Sequence, residues 1–190
     1  MSERTPKAET VMEIVGRRVS CRAYRTDPIP EETLRRVLEA ARLAPSACNR
    51  QPWRFAVARG PSTRRRIVEE GFLPGLGMDW ALDAPVHVIL GMERSIVTHI
   101  LGASVSGVDY PWIDLGISGE HLVLAATEAG LGSCWIGWIR PAPLRRIAGW
   151  KRTVLPVAVL TLGWPLNPGS RPPPSERRLP FDDLVTWLDP

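Results

Sequence analysis

From Leu155 to Leu162 the chain reads Leu-Pro-Val-Ala-Val-Leu-Thr-Leu, apolar where a half-buried strand would alternate with polar residues. A strand of that kind is covered on both faces. The chain must therefore supply helices to either side of a sheet. A second buried strand is predicted over Pro85–Gly91. Shorter strands are predicted over Arg54–Arg59, with Phe55 and Val57 on one face, and over Ser133–Ile139. Helical patterns lie between them at Thr10–Arg18, Glu31–Leu43, Ser62–Glu70 with Ser62 as cap, Asp114–Ala129 and Pro143–Gly149. In the clearest of these, Leu34, Val37, Leu38 and Ala41 share a face. Glu31 and Glu32 suit its first turn, and Pro45 stops it. Gly130 suits the position after the Asp114–Ala129 helix. Phe72–Leu82 reads as irregular, and Ile96–Pro111 fits no single pattern. Interleaved strands and helices predict an α/β or α+β sandwich. A length of 190 residues suits one domain spanning 1–190, with a loose Pro-rich C-terminal arm over 165–190.

Other classes are disfavoured. A hydrophobic share of 44% with 23% charged residues does not describe a disordered or collagen-like chain. The apolar stretches Ala84–Met92 and Val154–Trp164 fall short of the roughly 20 residues a membrane helix needs, so no membrane partner is expected. Cys21, Cys48 and Cys134 form an odd set without a C-x-x-C pair, and the first residues lack an apolar signal core. A cytoplasmic protein is expected. The net charge of +4 raises a nucleic-acid reading. Its tightest basic cluster, Arg64-Arg65-Arg66, shares a helix with Glu69 and Glu70, which favours a solvated face over a nucleic-acid surface.

Side-chain catalysis finds little support. G-x-S-x-G, H-E-x-x-H, Walker and G-x-G-x-x-G patterns do not occur, and His87, His99 and His121 are scattered. His87 and His121 suit packed, hydrogen-bonded positions. No catalytic side chain and no metal site is expected; any hard chemistry would belong to a bound cofactor.

Two segments suggest which cofactor. In Arg17-Arg18-Val19-Ser20-Cys21-Arg22, an extended backbone puts Arg18, Ser20 and Arg22 on one face. Two guanidinium forks flanking a hydroxyl suit a phosphate, although a solvated basic stretch fits equally well. In Ala44-Pro45-Ser46-Ala47-Cys48-Asn49-Arg50-Gln51-Pro52-Trp53, Asn49 and Gln51 offer amides for a heteroaromatic edge or polyol. A purely structural loop would not need them so close together.

Together these segments resemble the nitroreductase-like flavoprotein family. Arg18-Val19-Ser20-Cys21-Arg22 is similar to the family's Arg-Arg-Ser-x-Arg pattern, with Val19 in place of its second arginine. Ala44 through Trp53 matches its Ala-Pro-Ser-x-x-Asn-x-Gln-Pro-Trp loop. The resemblance continues through Asp114–Ala126, Gly130–Gly137, Leu162–Pro165 and Arg177–Asp182. Gly60 to Pro111 matches only in layout.

The resemblance implies a central mixed, mostly antiparallel sheet flanked by helices, in an intertwined homodimer with two FMN sites. Arg18, Ser20 and Arg22 would hold the FMN phosphate and ribityl oxygens, with Arg178 adding a phosphate contact. Pro45 and Ser46 would lie against the isoalloxazine ring, usually the partner's, and Asn49 would reach the ribityl or ring edge. Backbone groups of Trp135, Ile136 and Gly137 would approach the flavin near N5. NAD(P)H would deliver hydride to N5 in a ping-pong cycle, and a nitroaromatic, quinone or similar small acceptor would collect the electrons. Reductive dehalogenation, flavin cleavage or FMN binding without turnover are the alternatives. Trp53, Trp80, Trp112, Trp135 and Trp138 suit packing first. Trp80 and Trp112 could also line the substrate side, and Cys48 and Cys134 suit small buried thiols.

Overall fold

A computed structural model describes residues 9–93, 107–169 and 178–188. Its centre is an antiparallel sheet of four strands: β1 (Trp53–Ala58), β2 (Val86–Glu93), β3 (Gly132–Ile136) and β4 (Val154–Gly163), in the spatial order β1-β2-β4-β3. β2 and β4 lie at the centre, as their continuous apolar runs require. Pro156 cannot donate to the ladder, and the β2–β4 register shifts beside it, where Leu90 pairs with Ala158 but Gly91 pairs with Pro156. The only parallel pairing described is the isolated bridge between Ser20 and Ser133.

Among the described residues, five helices surround the sheet: α1 (Val11–Arg17), α2 (Glu31–Arg42), α3 (Pro61–Gly71), α4 (Tyr110–Glu128) and α5 (Pro141–Ile147). On one face, Leu34, Val37 and Ala41 of α2 and Leu122, Val123 and Ala126 of α4 pack against Val86, Val88, Leu160 and Leu162. On the other, Ile67 and Val68 of α3 and Leu144 of α5 pack against Ile89, Ile136 and Val159. The result is an α+β sandwich whose core fills both faces.

Element ends follow local chemistry. Thr10 caps α1 in a capping box with Glu13. Gly60 occupies the cap position of α3 and Pro61 its first helical residue, so Ser62 lies inside the helix rather than capping it. Pro111 likewise lets α4 begin a turn before Asp114. Gly130 follows α4 with φ +78°, a left-handed conformation natural to glycine. The β3 strand stops at Ile136, short of the predicted Ile139, and α5 begins at Pro141 rather than Pro143. The predicted irregular stretch after α3 holds one 3₁₀ turn, Asp79–Asp83. Of the stretch Ile96–Pro111, whose sequence fits no single pattern, residues 96–106 lie outside the described residues, as does Arg177 of the tail motif.

Candidate functional site

The basic segment 18–24 runs along β3. Cys21 N–H donates to the Ser133 carbonyl at 2.8 Å, and the Tyr24 hydroxyl donates to the Cys21 carbonyl at 2.7 Å. The same hydroxyl lies 2.8 Å from Thr161 Oγ1 in β4. Burial lifts the Tyr24 phenol well above the usual tyrosine range, which keeps it a neutral donor. Cys21 and Tyr24 are thereby fixed to the sheet, with Arg22 between them and Arg18 three residues before Cys21.

Both arginines line a cavity of about 330 Å³, together with Gly130, Leu131, Gly132, Pro165 and Asn167. Gly132 is required there because a Cβ would come 2.7 Å from Cys21 Sγ. Arg22 lies over the Trp80 ring, 5.9 Å from its centroid, and forms no ion pair among the described residues. Arg18 Nε lies 3.8 Å from Glu120 Oε1 of α4. Neither Ser20, Pro45, Ser46, Asn49, Trp135, Ile136, Gly137 nor Arg178 lines this cavity.

The loop before β1 forms a second group. Ala47 N–H donates to Asp114 Oδ1 of α4 at 3.0 Å, and Asp114 is buried. Gln51 N–H donates to Ser46 Oγ at 3.0 Å, while Gln51 Nε2 donates to Asn49 Oδ1 at 3.1 Å. The closeness of Asn49 and Gln51 therefore has a structural use, contrary to the sequence reading. Cys48, Asn49 and Gln51 all have φ near +50°. Such conformations cost side-chain residues free energy, and these hydrogen bonds offset part of it. Cys48 is exposed rather than buried, whereas Cys134 is buried.

The third group is the end of β3. Trp135 points to α4, where its ring fills the space beside Gly119. Beyond Ile136, the last paired residue, Gly137 has open space where a Cβ would stand. Trp135 is 37% exposed and Trp138 65%. Arg178 is exposed in the tail. Helix α4 thus touches all three groups through Asp114, Gly119 and Glu120.

A model of the nitroreductase family matches residues 15–72 and 70–164. The chain belongs to that family. An NADH dehydrogenase of Thermus thermophilus is 32% identical over 197 residues, covering 90% of this chain and 92% of the relative. An FMN reductase [NAD(P)H] of Bacillus subtilis is 27% identical over 170 residues, covering 81% and 65%. The crystal structure of a nitroreductase family protein from Clostridium difficile superposes with a TM-score of 0.76 at 26% identity, covering 95% of this chain and 99% of that one.

Within this nitroreductase-family chain, other prominent residues are structural. Arg64 donates to the Leu82 and Ala84 carbonyls, and Arg65 and Arg66 pair with Glu69 and Glu70. The basic cluster is thus spent on its own surroundings. His121 Nδ1 faces the Ala40 carbonyl at 3.3 Å, and His87 is fully buried. Trp53 is buried in the core beside Leu90 and Met92. Among the described residues, no helix is long and apolar enough to cross a membrane, and no three His, Cys, Asp or Glu residues gather as metal ligands. Asp114, Gly119 and Glu120 are the residues that sequence reasoning missed at the site.

Proposed function

We propose that this chain is an FMN-dependent oxidoreductase that takes electrons from NAD(P)H and passes them to a nitroaromatic, quinone or similar small acceptor. The observation that carries the reading is the pair Arg18 and Arg22 lining one cavity beside the glycine-flanked turn Gly130–Gly132. Two fixed guanidinium forks suit a phosphate monoester, and Arg22 has no carboxylate partner among the described residues to neutralise it. FMN, when bound, supplies the hydride chemistry that no side chain of this site offers. Arg18 and Arg22 would hold its phosphate with Ser20 beside them, and Arg178 would add a contact from the tail. The backbone of Trp135, Ile136 and Gly137 would orient the ring.

Pro45, Ser46 and Asn49 lie on a loop that does not line the arginine cavity, which supports a homodimer in which they serve the partner's flavin. Val11, Met12, Tyr110, Trp112, Ile113 and Trp138 are exposed apolar side chains of the kind an interface covers. Phe181, Leu184, Trp187 and Leu188 in the arm are exposed as well, and the arm would reach the partner. The arm starts from a fixed point, since Leu166 N–H donates to the Ala23 carbonyl at 3.0 Å.

Purified protein should carry flavin absorption that bleaches with NADH or NADPH without oxygen and returns on adding an acceptor. Arg22→Ala and Arg178→Ala should lose FMN on dialysis faster than the parent. A colourless protein that takes up no FMN would overturn the reading.

A further inference from the structure

We propose that Trp80 is a positioning residue: its ring backs the Arg22 guanidinium, and Arg64 and His87 clamp the turn that carries it. The inference rests on the FMN reading above, in which Arg22 holds the phosphate. The hydrogen bonds of Cys21 and Tyr24 fix the backbone on either side of Arg22, yet they leave its long side chain its rotamer freedom. Arg18 has the Glu120 carboxylate 3.8 Å away, whereas Arg22 has no such partner among the described residues. What Arg22 has is the Trp80 ring, whose centroid lies 5.9 Å from its Cζ. An aromatic face attracts a cation without consuming its N–H donors, which stay available to a phosphate. A carboxylate in that place would occupy the donors and neutralise the charge.

Trp80 comes to Arg22 from a distant part of the chain, on the 3₁₀ turn Asp79–Asp83 between α3 and β2. Three carbonyls in and just after that turn accept side-chain donors. His87 Nε2–H of β2 donates to the Ala81 carbonyl at 2.8 Å. Arg64 Nη1 of α3 donates to the Leu82 carbonyl at 3.0 Å and to the Ala84 carbonyl at 2.6 Å. A strand and a helix therefore grip the turn together. The turn needs these bonds, because residues 73–77 before it are exposed and include Gly75 and Gly77. So held, Trp80 packs against Cys21, Tyr24 and Ala84, with its ring 6.3 Å from that of Tyr24. One ring thus meets the residues before and after Arg22 as well as its guanidinium.

Apoprotein titrated by quenching of flavin fluorescence separates the two ligand ends, since riboflavin lacks the phosphate. Trp80→Leu should weaken FMN about threefold and leave riboflavin unchanged, with Trp80→Phe, which keeps an aromatic face, in between. The loss should vanish in an Arg22→Ala background, because Trp80 acts on the phosphate only through Arg22. Arg64→Met should also weaken FMN, and again not in that background, where a direct effect of the Arg64 charge would persist. The near-UV circular dichroism of the apoprotein reads the clamp without ligand. The contribution of Trp80, identified by Trp80→Phe, should shrink in Arg64→Met and His87→Leu. It should return in His87→Gln, whose amide can still donate to Ala81. Equal losses of FMN and riboflavin in Trp80→Leu, an undiminished loss in the Arg22→Ala background, or an unaltered Trp80 signal in Arg64→Met would each overturn the proposal. If the parent apoprotein takes up neither flavin, the FMN reading falls and this inference falls with it. If Arg22→Ala weakens FMN and Trp80→Leu does not, only this inference falls.

Discussion

The benzenoid edge of the Trp135 indole occupies the space in which a side chain at Gly119 would stand. A Cβ at Gly119 would meet Cζ2 and Cη2 of that ring and come 3.4 Å from Leu90 Cδ2. Alanine gains about 1 kcal/mol of helix propensity over glycine, whereas overpacking a core costs about 1–3 kcal/mol. The ring is a rigid neighbour, so the overpacking should win. Gly119→Ala should lower stability by about 1 kcal/mol and shift the Trp135 signal in near-UV circular dichroism. Urea denaturation followed by tryptophan fluorescence measures the first, and an unchanged midpoint with an unchanged spectrum would refute both.

Asp114 holds the Pro45–Asn49 loop to α4 through the Ala47 N–H at 3.0 Å. Removing the carboxylate leaves a partly buried donor without its acceptor, at a cost of about 1–3 kcal/mol. Asp114→Ala should therefore unfold at lower urea and expose the Ala44–Trp53 loop to limited proteolysis. Asp114→Asn, which keeps an oxygen at the same place, should stay within about 1 kcal/mol of the parent. Equal loss in the two variants would mean that the charge, not the hydrogen bond, matters.

Tyr24 ties the basic segment to the sheet through Cys21 and Thr161. Tyr24→Phe keeps the ring beside Trp80 and removes only the hydroxyl. A loss of about 1 kcal/mol is expected, together with faster FMN loss on dialysis as Arg22 becomes less fixed. In the parent, the raised phenol should leave one tyrosine protonated in alkaline solution until the protein unfolds, read by ultraviolet absorbance against pH. Normal titration of both tyrosines in the folded protein would contradict this hydrogen-bond arrangement.

The sequence carried much of this architecture because its signals were local. The β4 run, the apolar face of α2 and Gly130 after α4 each act within a few residues of chain. Boundaries moved where proline began a helix, at Pro61, Pro111 and Pro141, because a first-turn proline extends the helix backwards from its apolar pattern. Arg18 and Arg22 were legible as a pair because an extended backbone alternates its side chains. Glu120 was not legible: in a mostly apolar helix it reads as a solvent-facing break, and its partner Arg18 comes from a distant segment. The bond between Gln51 and Asn49 was missed for the opposite reason. Their polarity was visible, but their use on each other depends on a left-handed turn that composition does not announce.

His87 gives the clearest pH prediction. Its Nε2–H donates to the Ala81 carbonyl at 2.8 Å, while Nδ1 is buried without a hydrogen-bond partner among the described residues. Burial pushes its pKa down from 6.5 to about 4, with the Arg64 charge acting in the same direction. The unfolded chain thus takes up a proton near pH 6.5 that the folded protein refuses until about pH 4. Stability contributed by the neutral ring is fully present above pH 6.5 and is lost as pH falls toward 4, by about 3 kcal/mol at most. The exposed Glu31, Glu39 and Glu70, whose carboxyls are lowered by Arg35, Arg42 and Arg66, add their losses only below 4.5. Glu120 works the other way, since its raised carboxyl binds a proton in the folded protein first. His87→Gln isolates the histidine, because its amide can still donate to Ala81 and carries no titrating charge. Urea midpoints measured between pH 7 and pH 4 should fall more steeply for the parent than for the variant, with the gap opening below about pH 6.5. Parallel curves would mean that His87 takes up its proton in the folded protein as readily as in the unfolded one.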